Sequence, residues 1–202
     1  MRILKIDPKK IEKEKLLEMA NLIRQGKVMI CPTDTVYGLI ADATNKKAVE
    51  KVFKIKRRKA QKPIPIFVKD INVAKKLAKI DKKQEEFLKS VWPGEVTTIL
   101  KAKSETRKIF PKGIISSENK IGFRIPKYRL VNVLLKKFNL PLTGTSANIS
   151  GQPPSTKIKE IISQFKSQKY QLDLILDAGN LPKSKPSTVL DLTKFPPKIL
   201  RQ

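Results

Sequence analysis

The chain has 202 residues, 44 Lys and Arg against 18 Asp and Glu, and a formal charge of 44 − 18 = +26, which favours anionic ligands such as nucleotides or RNA. With no His and a single cysteine, Cys31, it excludes Ser-His-Asp and Cys-His catalysis, an internal disulfide and a structural zinc site. The length suits one α/β domain over 1–202, and no apolar run approaches the ~20 residues of a membrane span, so a soluble, cytoplasmic protein is expected.

Leu16, Leu17, Ala20 and Ile23 recur at helical spacing and predict a helix over about 11–24 that ends at Gly26. A buried strand over 28–31 then runs into Pro32-Thr33-Asp34-Thr35-Val36-Tyr37-Gly38-Leu39, a hydroxyl-rich turn at a strand end, where open α/β sheets place ligands. Ordinary turn chemistry also explains Thr33 and Thr35, and Tyr37 reads as core. Ala48, Val49, Val52 and Phe53 mark the next helix, capped near Asn45. Six of the nine residues from Lys54 to Lys62 are basic, which complements a helix C-terminus and, at this density, points to phosphate binding.

A strand over 64–68 follows, with Pro65 suggesting an edge or a bulge. Residues 70–91 hold one or two helices stopped by Trp92-Pro93-Gly94, with Trp92 as a packing anchor. After a strand over 96–102, the polar stretch 103–119 reads as irregular and mobile. In the strand over 121–126, alternation puts Arg124 opposite Phe123 and Ile125, and an arginine there needs an anionic partner, either an internal carboxylate or a substrate. Leu130, Val133, Leu134 and Phe138 mark a helix. It leads to Thr143-Gly144-Thr145-Ser146-Ala147-Asn148-Ile149-Ser150-Gly151, a loop whose small hydroxyl and amide groups suit an oxyanion or nucleotide. Alone, the same residues also fit a strand end followed by a capped helix. Ile158, Ile161, Ile162 and Phe165 give a last helix, and 174–176, 187–192 and 199–200 are short late strands.

Four segments taken together, Pro32 to Leu39, Lys56-x-Arg58 with Lys62-Pro63, Ser146 to Gly151, and Pro186 to Asp191, resemble the YrdC (TsaC) threonylcarbamoyl-AMP synthases in order and spacing. The resemblance implies an α/β fold whose twisted mixed sheet is flanked by helices and has a cationic concave face. It also implies formation of threonylcarbamoyl-AMP and pyrophosphate from L-threonine, bicarbonate and ATP, with Mg2+ carried by the nucleotide and no metal ligands from the chain. The product would supply the machinery that installs t6A in tRNA, and direct binding of tRNA or double-stranded RNA is a further implied partner.

By position, the resemblance assigns Lys56, Arg58, Ser146 and Asn148 to the catalytic signature. Thr35, Phe67, Arg124, Gly144 and Ser187 would face L-threonine, and Arg58, Lys62, Lys120, Ser146, Ser155 and Arg201 would face ATP. Many relatives have a His where this chain has Phe67. A serine of the ATP site falls at Pro154, with Ser155 one position later, and with the chain stopping at Gln202 the C-terminal domain of longer relatives is not expected. Two other readings compete: a non-enzymatic RNA-binding module, motivated by the charge, and a carbamoyl-transfer domain like those of hydrogenase-maturation proteins, which the chain's length and cysteine count disfavour.

Overall fold

Short apolar runs alternate with amphipathic helices, and in the computed structural model, which describes residues 2–59, 61–166 and 169–202, they form two twisted mixed sheets flanked by helices. The first sheet has the order β1 (Arg2–Lys5), β10 (Leu174–Asp177), β2 (Met29–Cys31), β3 (Gly38–Ile40) and β9 (Thr145–Ser146). Strands β1, β10 and β2 are parallel, whereas β3 and β9 continue antiparallel. Alternation along β2 decides which helix covers which face. Met29 and Cys31 join the apolar cluster of α1 (Lys13–Arg24) and α5 (Arg129–Phe138), while Ile30 joins that of α2 (Lys46–Lys56) and α6 (Ile158–Lys166).

The second sheet has the order β12 (Lys198–Arg201), β11 (Thr188–Asp191), β6 (Val96–Ala102), β7 (Lys120–Arg124), β4 (Ile66–Phe67) and β8 (Leu142–Thr143), with β5 (Ala78–Lys79) pairing on β6. One face sends Leu100, Ala102, Ile121 and Phe123 into the core shared with α3 (Ile71–Leu77) and α4 (Lys82–Val91). The opposite face stays open, and the site lies there. Helix starts follow their side-chain caps: Asn45, Asp70 and Asp81 each accept a hydrogen bond from the backbone N–H three residues on, each worth about 1 kcal/mol.

Several elements depart from the sequence expectations. β4 is an interior strand, not an edge; Pro65 precedes its first paired residue, so the missing N–H costs no ladder bond. Residues 103–119 are anchored by buried Phe110 and Ile114, by the buried Thr106 hydroxyl donating to Leu77 O, and by Arg107 bonding Asn119 Oδ1 and Ser116 O. Strands β1, β3 and β5 were not anticipated. No described helix is long and apolar enough to cross a membrane.

Candidate active site

Between β8 and β9 the chain passes from the second sheet to the first across one residue, Gly144. Its N–H donates to Pro65 O at 2.8 Å. A Cβ on residue 144 would lie 2.7 Å from two ring carbons of Phe67, so the close approach requires glycine. The crossing sets the β3–β9 edge of the first sheet beside the open face of the second. Between them lies a cleft of about 710 Å³. Its floor follows the period of two: Thr97 and Ile99 from β6, Lys120, Gly122 and Arg124 from β7, Phe67 from β4, and Val189 and Asp191 from β11.

Arg58, Lys62 and Arg201 line the cleft, and neither arginine has a carboxylate partner among the described residues. Arg58 is held instead by Lys62 O at 2.8 Å and Pro63 O at 3.0 Å, and Arg201 by Ser187 O at 2.6 and 3.2 Å. A register shift where β12 meets Val189 and Leu190 lets both Leu200 and Arg201 face the cleft. Burial, followed by the nearby Arg201 charge, lowers the pKa of Arg58. Two cations held this close by backbone oxygens form a site for an anion. Lys120 differs, because its ammonium sits 2.9 Å from Glu118 Oε2 and 3.3 Å from Asp191 Oδ2, and these bonds raise its pKa.

Elsewhere in the cleft stands Arg124, only 4% exposed. Its Nε donates to Gly94 O at 2.9 Å, Nη1 to Thr35 Oγ1 at 3.0 Å, and Nη2 to Asp34 Oδ1 at 2.6 Å. Of the two anionic partners the strand pattern allows, an internal carboxylate or a substrate, the structure shows the first, Asp34. The three bonds leave two of the guanidinium's five N–H donors for a ligand. Phe67 lies beneath, with the Arg124 Cζ 5.9 Å from its ring centroid. Ser187 completes this part, its hydroxyl 2.9 Å from that of Thr97.

The Ser-x-Asn loop is held from behind. Lys56 is the last residue of α2, 1% exposed, and its ammonium donates to Ser146 O at 2.6 Å, Asn148 O at 2.9 Å and Asn148 Oδ1 at 3.0 Å. Its own carbonyl accepts Ser150 N at 2.8 Å. Burial, then the Arg58 charge, pushes the Lys56 pKa down to about 7, while the three oxygens take all three protons of its ammonium. Asn148 Nδ2 bonds Gln152 O and Ile149 O, closing the loop on itself.

Of the residues assigned by resemblance, the structure brings Thr35, Arg58, Lys62, Phe67, Lys120, Arg124, Gly144, Ser146, Ser187 and Arg201 to one cleft. It does not bring Lys56, Asn148 or Ser155 there. Lys56 and Asn148 are turned inward as the loop's lock. Ser155 lies past the Pro153-Pro154 pair, where its hydroxyl donates to Glu160 and accepts from Lys157 N at the start of α6. Thr97 and Asp191 were not among the expected site residues, although their period-two placement on strands 96–102 and 187–192 was an available signal; Glu118, in a turn of the stretch 103–119, carried none. No three His, Cys, Asp or Glu side chains group into a metal site among the described residues.

A family model described as telomere recombination, Sua5/YciO/YrdC, matches residues 21–202. A Methanocaldococcus jannaschii protein provisionally named threonylcarbamoyl-AMP synthase is 39% identical over 182 residues, covering 90% of this chain and 82% of that protein. A Pyrococcus abyssi threonylcarbamoyl-AMP synthase is 35% identical over 193 residues, covering 95% of this chain and 55% of its own length, so the chain spans about half of that relative. The crystal structure of P. abyssi Sua5 complexed with L-threonine superposes with a TM-score of 0.89 at 32% identity, covering all of this chain and 57% of that one.

Proposed function

This chain belongs to the Sua5/YciO/YrdC family, and from that premise we propose that it is a threonylcarbamoyl-AMP synthase. L-threonine, bicarbonate and ATP are joined into threonylcarbamoyl-AMP, with release of pyrophosphate and water. The observation that carries this reading is a single cleft with two separate anion-reading groups: Arg124, paired and held for a carboxylate, and Arg58 with Lys62 and Arg201, without carboxylate partners among the described residues.

The threonine amine adds to bicarbonate with loss of water, and an oxygen of the resulting carbamate attacks the α-phosphorus of ATP as the bond to pyrophosphate breaks. Both reactants are anionic, so the chain's task is positioning and fixed positive charge rather than proton transfer. Arg124 and Ser187 hold the amino acid, with Phe67 as its apolar wall. Arg58, Lys62 and Arg201 hold the phosphates. Ser146 lines the cleft with its hydroxyl donating to Asn148 Oδ1 at 2.6 Å, on a loop that Lys56 and Asn148 keep in place. Lys120 reaches the nucleotide only by exchanging Glu118 or Asp191 for a phosphate oxygen. Magnesium enters on the nucleotide as part of the substrate, and the product passes to the machinery that installs t6A.

The test is product analysis by mass spectrometry after incubation with ATP, L-threonine and 13C-bicarbonate. A threonylcarbamoyl-AMP one mass unit heavier than the unlabelled product supports the reading. Unlabelled AMP as the sole nucleotide product would reject it.

A further inference from the structure

The carboxylate of Asp34 makes two short bonds and does not line the cleft. Oδ1 accepts from Arg124 Nη2 at 2.6 Å, and Oδ2 accepts from the backbone N–H of Lys127 at 2.7 Å. Arg124 is buried, its side chain 4% exposed, and that of Asp34 is nearly so at 9%. A buried arginine must be paired when no ligand is present. Gly94 O and the Thr35 hydroxyl fix two other donors of the same guanidinium. Asp34 also ties the Pro32–Leu39 segment to the turn between β7 and α5, because Lys127 lies in that turn.

We propose that Asp34 is the positioning residue of this cleft: through its bond to Nη2 it holds Arg124 in the one orientation that offers the two unused N–H donors to the substrate carboxylate. The inference rests on the reading of the cleft as a site for L-threonine. Asp34 itself makes no contact with substrate. Removing the Asp34 charge leaves Arg124 uncompensated and would by itself strengthen its pull on a carboxylate. A weakened threonine site in a neutral variant therefore reports lost orientation, not lost attraction.

Two measurements on Asp34→Asn decide it. Without ligand, the Arg124 side-chain Nε–H, identified by its loss in Arg124→Lys, should exchange with solvent slowly in the wild type and at least tenfold faster in Asp34→Asn. In steady-state pyrophosphate release, the variant should raise the KM for L-threonine at least tenfold, while the KM for ATP and kcat each stay within about threefold. An unchanged exchange rate, a lower KM for threonine, or equal losses for both substrates with a lowered Tm would each overturn the proposal. A wild type that turns over ATP without any dependence on threonine would refute the proposed activity instead, and the exchange rate would still judge Asp34.

Discussion

Replacing Lys56 by Met separates a lysine that holds the loop from one that touches phosphate. The ammonium serves three oxygens, and their fates differ. Asn148 Oδ1 keeps the Ser146 hydroxyl at 2.6 Å, and Ser146 O keeps the Asn148 N–H at 3.0 Å, whereas Asn148 O must find a new partner. One orphaned acceptor costs about 1–3 kcal/mol and each weakened one about 0.5–1.5 kcal/mol. Relief from burying a charge returns part of this, leaving a net loss of roughly 2–4 kcal/mol. For a chain of this length that lowers Tm by roughly 5–15 °C. Urea midpoints and thermal melts measure the stability, and pyrophosphate release well below Tm measures the chemistry. Both should fall together, because the displaced loop carries Ser146. Unchanged stability with turnover lost a hundredfold would mean that Lys56 acts on the phosphates directly and does not serve as the lock of the loop.

Folding takes the Lys56 pKa from 10.5 down to about 7, so between those values the unfolded chain binds the extra proton, and this site's contribution to stability rises with pH in that window and is flat below it. The stability gap between wild type and Lys56→Met should therefore widen from pH 7 to pH 9, and a constant gap would contradict the linkage. Gly144→Ala drives a methyl into the Phe67 ring and should cost about 1–3 kcal/mol. In a Phe67→Leu background most of that cost should vanish, and an additive double mutant would show that the two do not meet. Arg201→Ala removes a cation pinned on Ser187 O and should weaken ATP by about 1–3 kcal/mol in calorimetric titration, with threonine affinity little changed.

Local signals were the legible part of the fold. Asn45 announced α2 because a cap acts within three residues, and the uninterrupted run from Val96 to Ala102 gave β6 at its observed bounds. β3 escaped because its three residues pair with β2 and with Thr145 and Ser146, the latter more than a hundred positions away. Residues 103–119 looked unanchored because Pro111 and Gly113 stand between Phe110 and Ile114, so their spacing of four marks no helix. The site was legible as a set of motifs, but not as a division of labour. Lys-x-Arg places two cations side by side in the chain, yet Lys56 continues the buried stripe of Val49, Val52 and Ile55 while Arg57 adopts a left-handed conformation at the helix end and Arg58 lines the cleft. Lys56 stands four residues after Val52 on that stripe, which was the available sign that it points inward. That Asp34 pairs with Arg124 carried no comparable signal, because the two meet through tertiary packing ninety residues apart.

The proposed reaction joins an amino acid, bicarbonate and ATP in one cleft. Pyrophosphate release is to be measured with the full mixture, and with each of L-threonine, bicarbonate and ATP omitted in turn. Release should require all three and fall to background when any one is missing. Release that persists without threonine or without bicarbonate would rule the proposed reaction out.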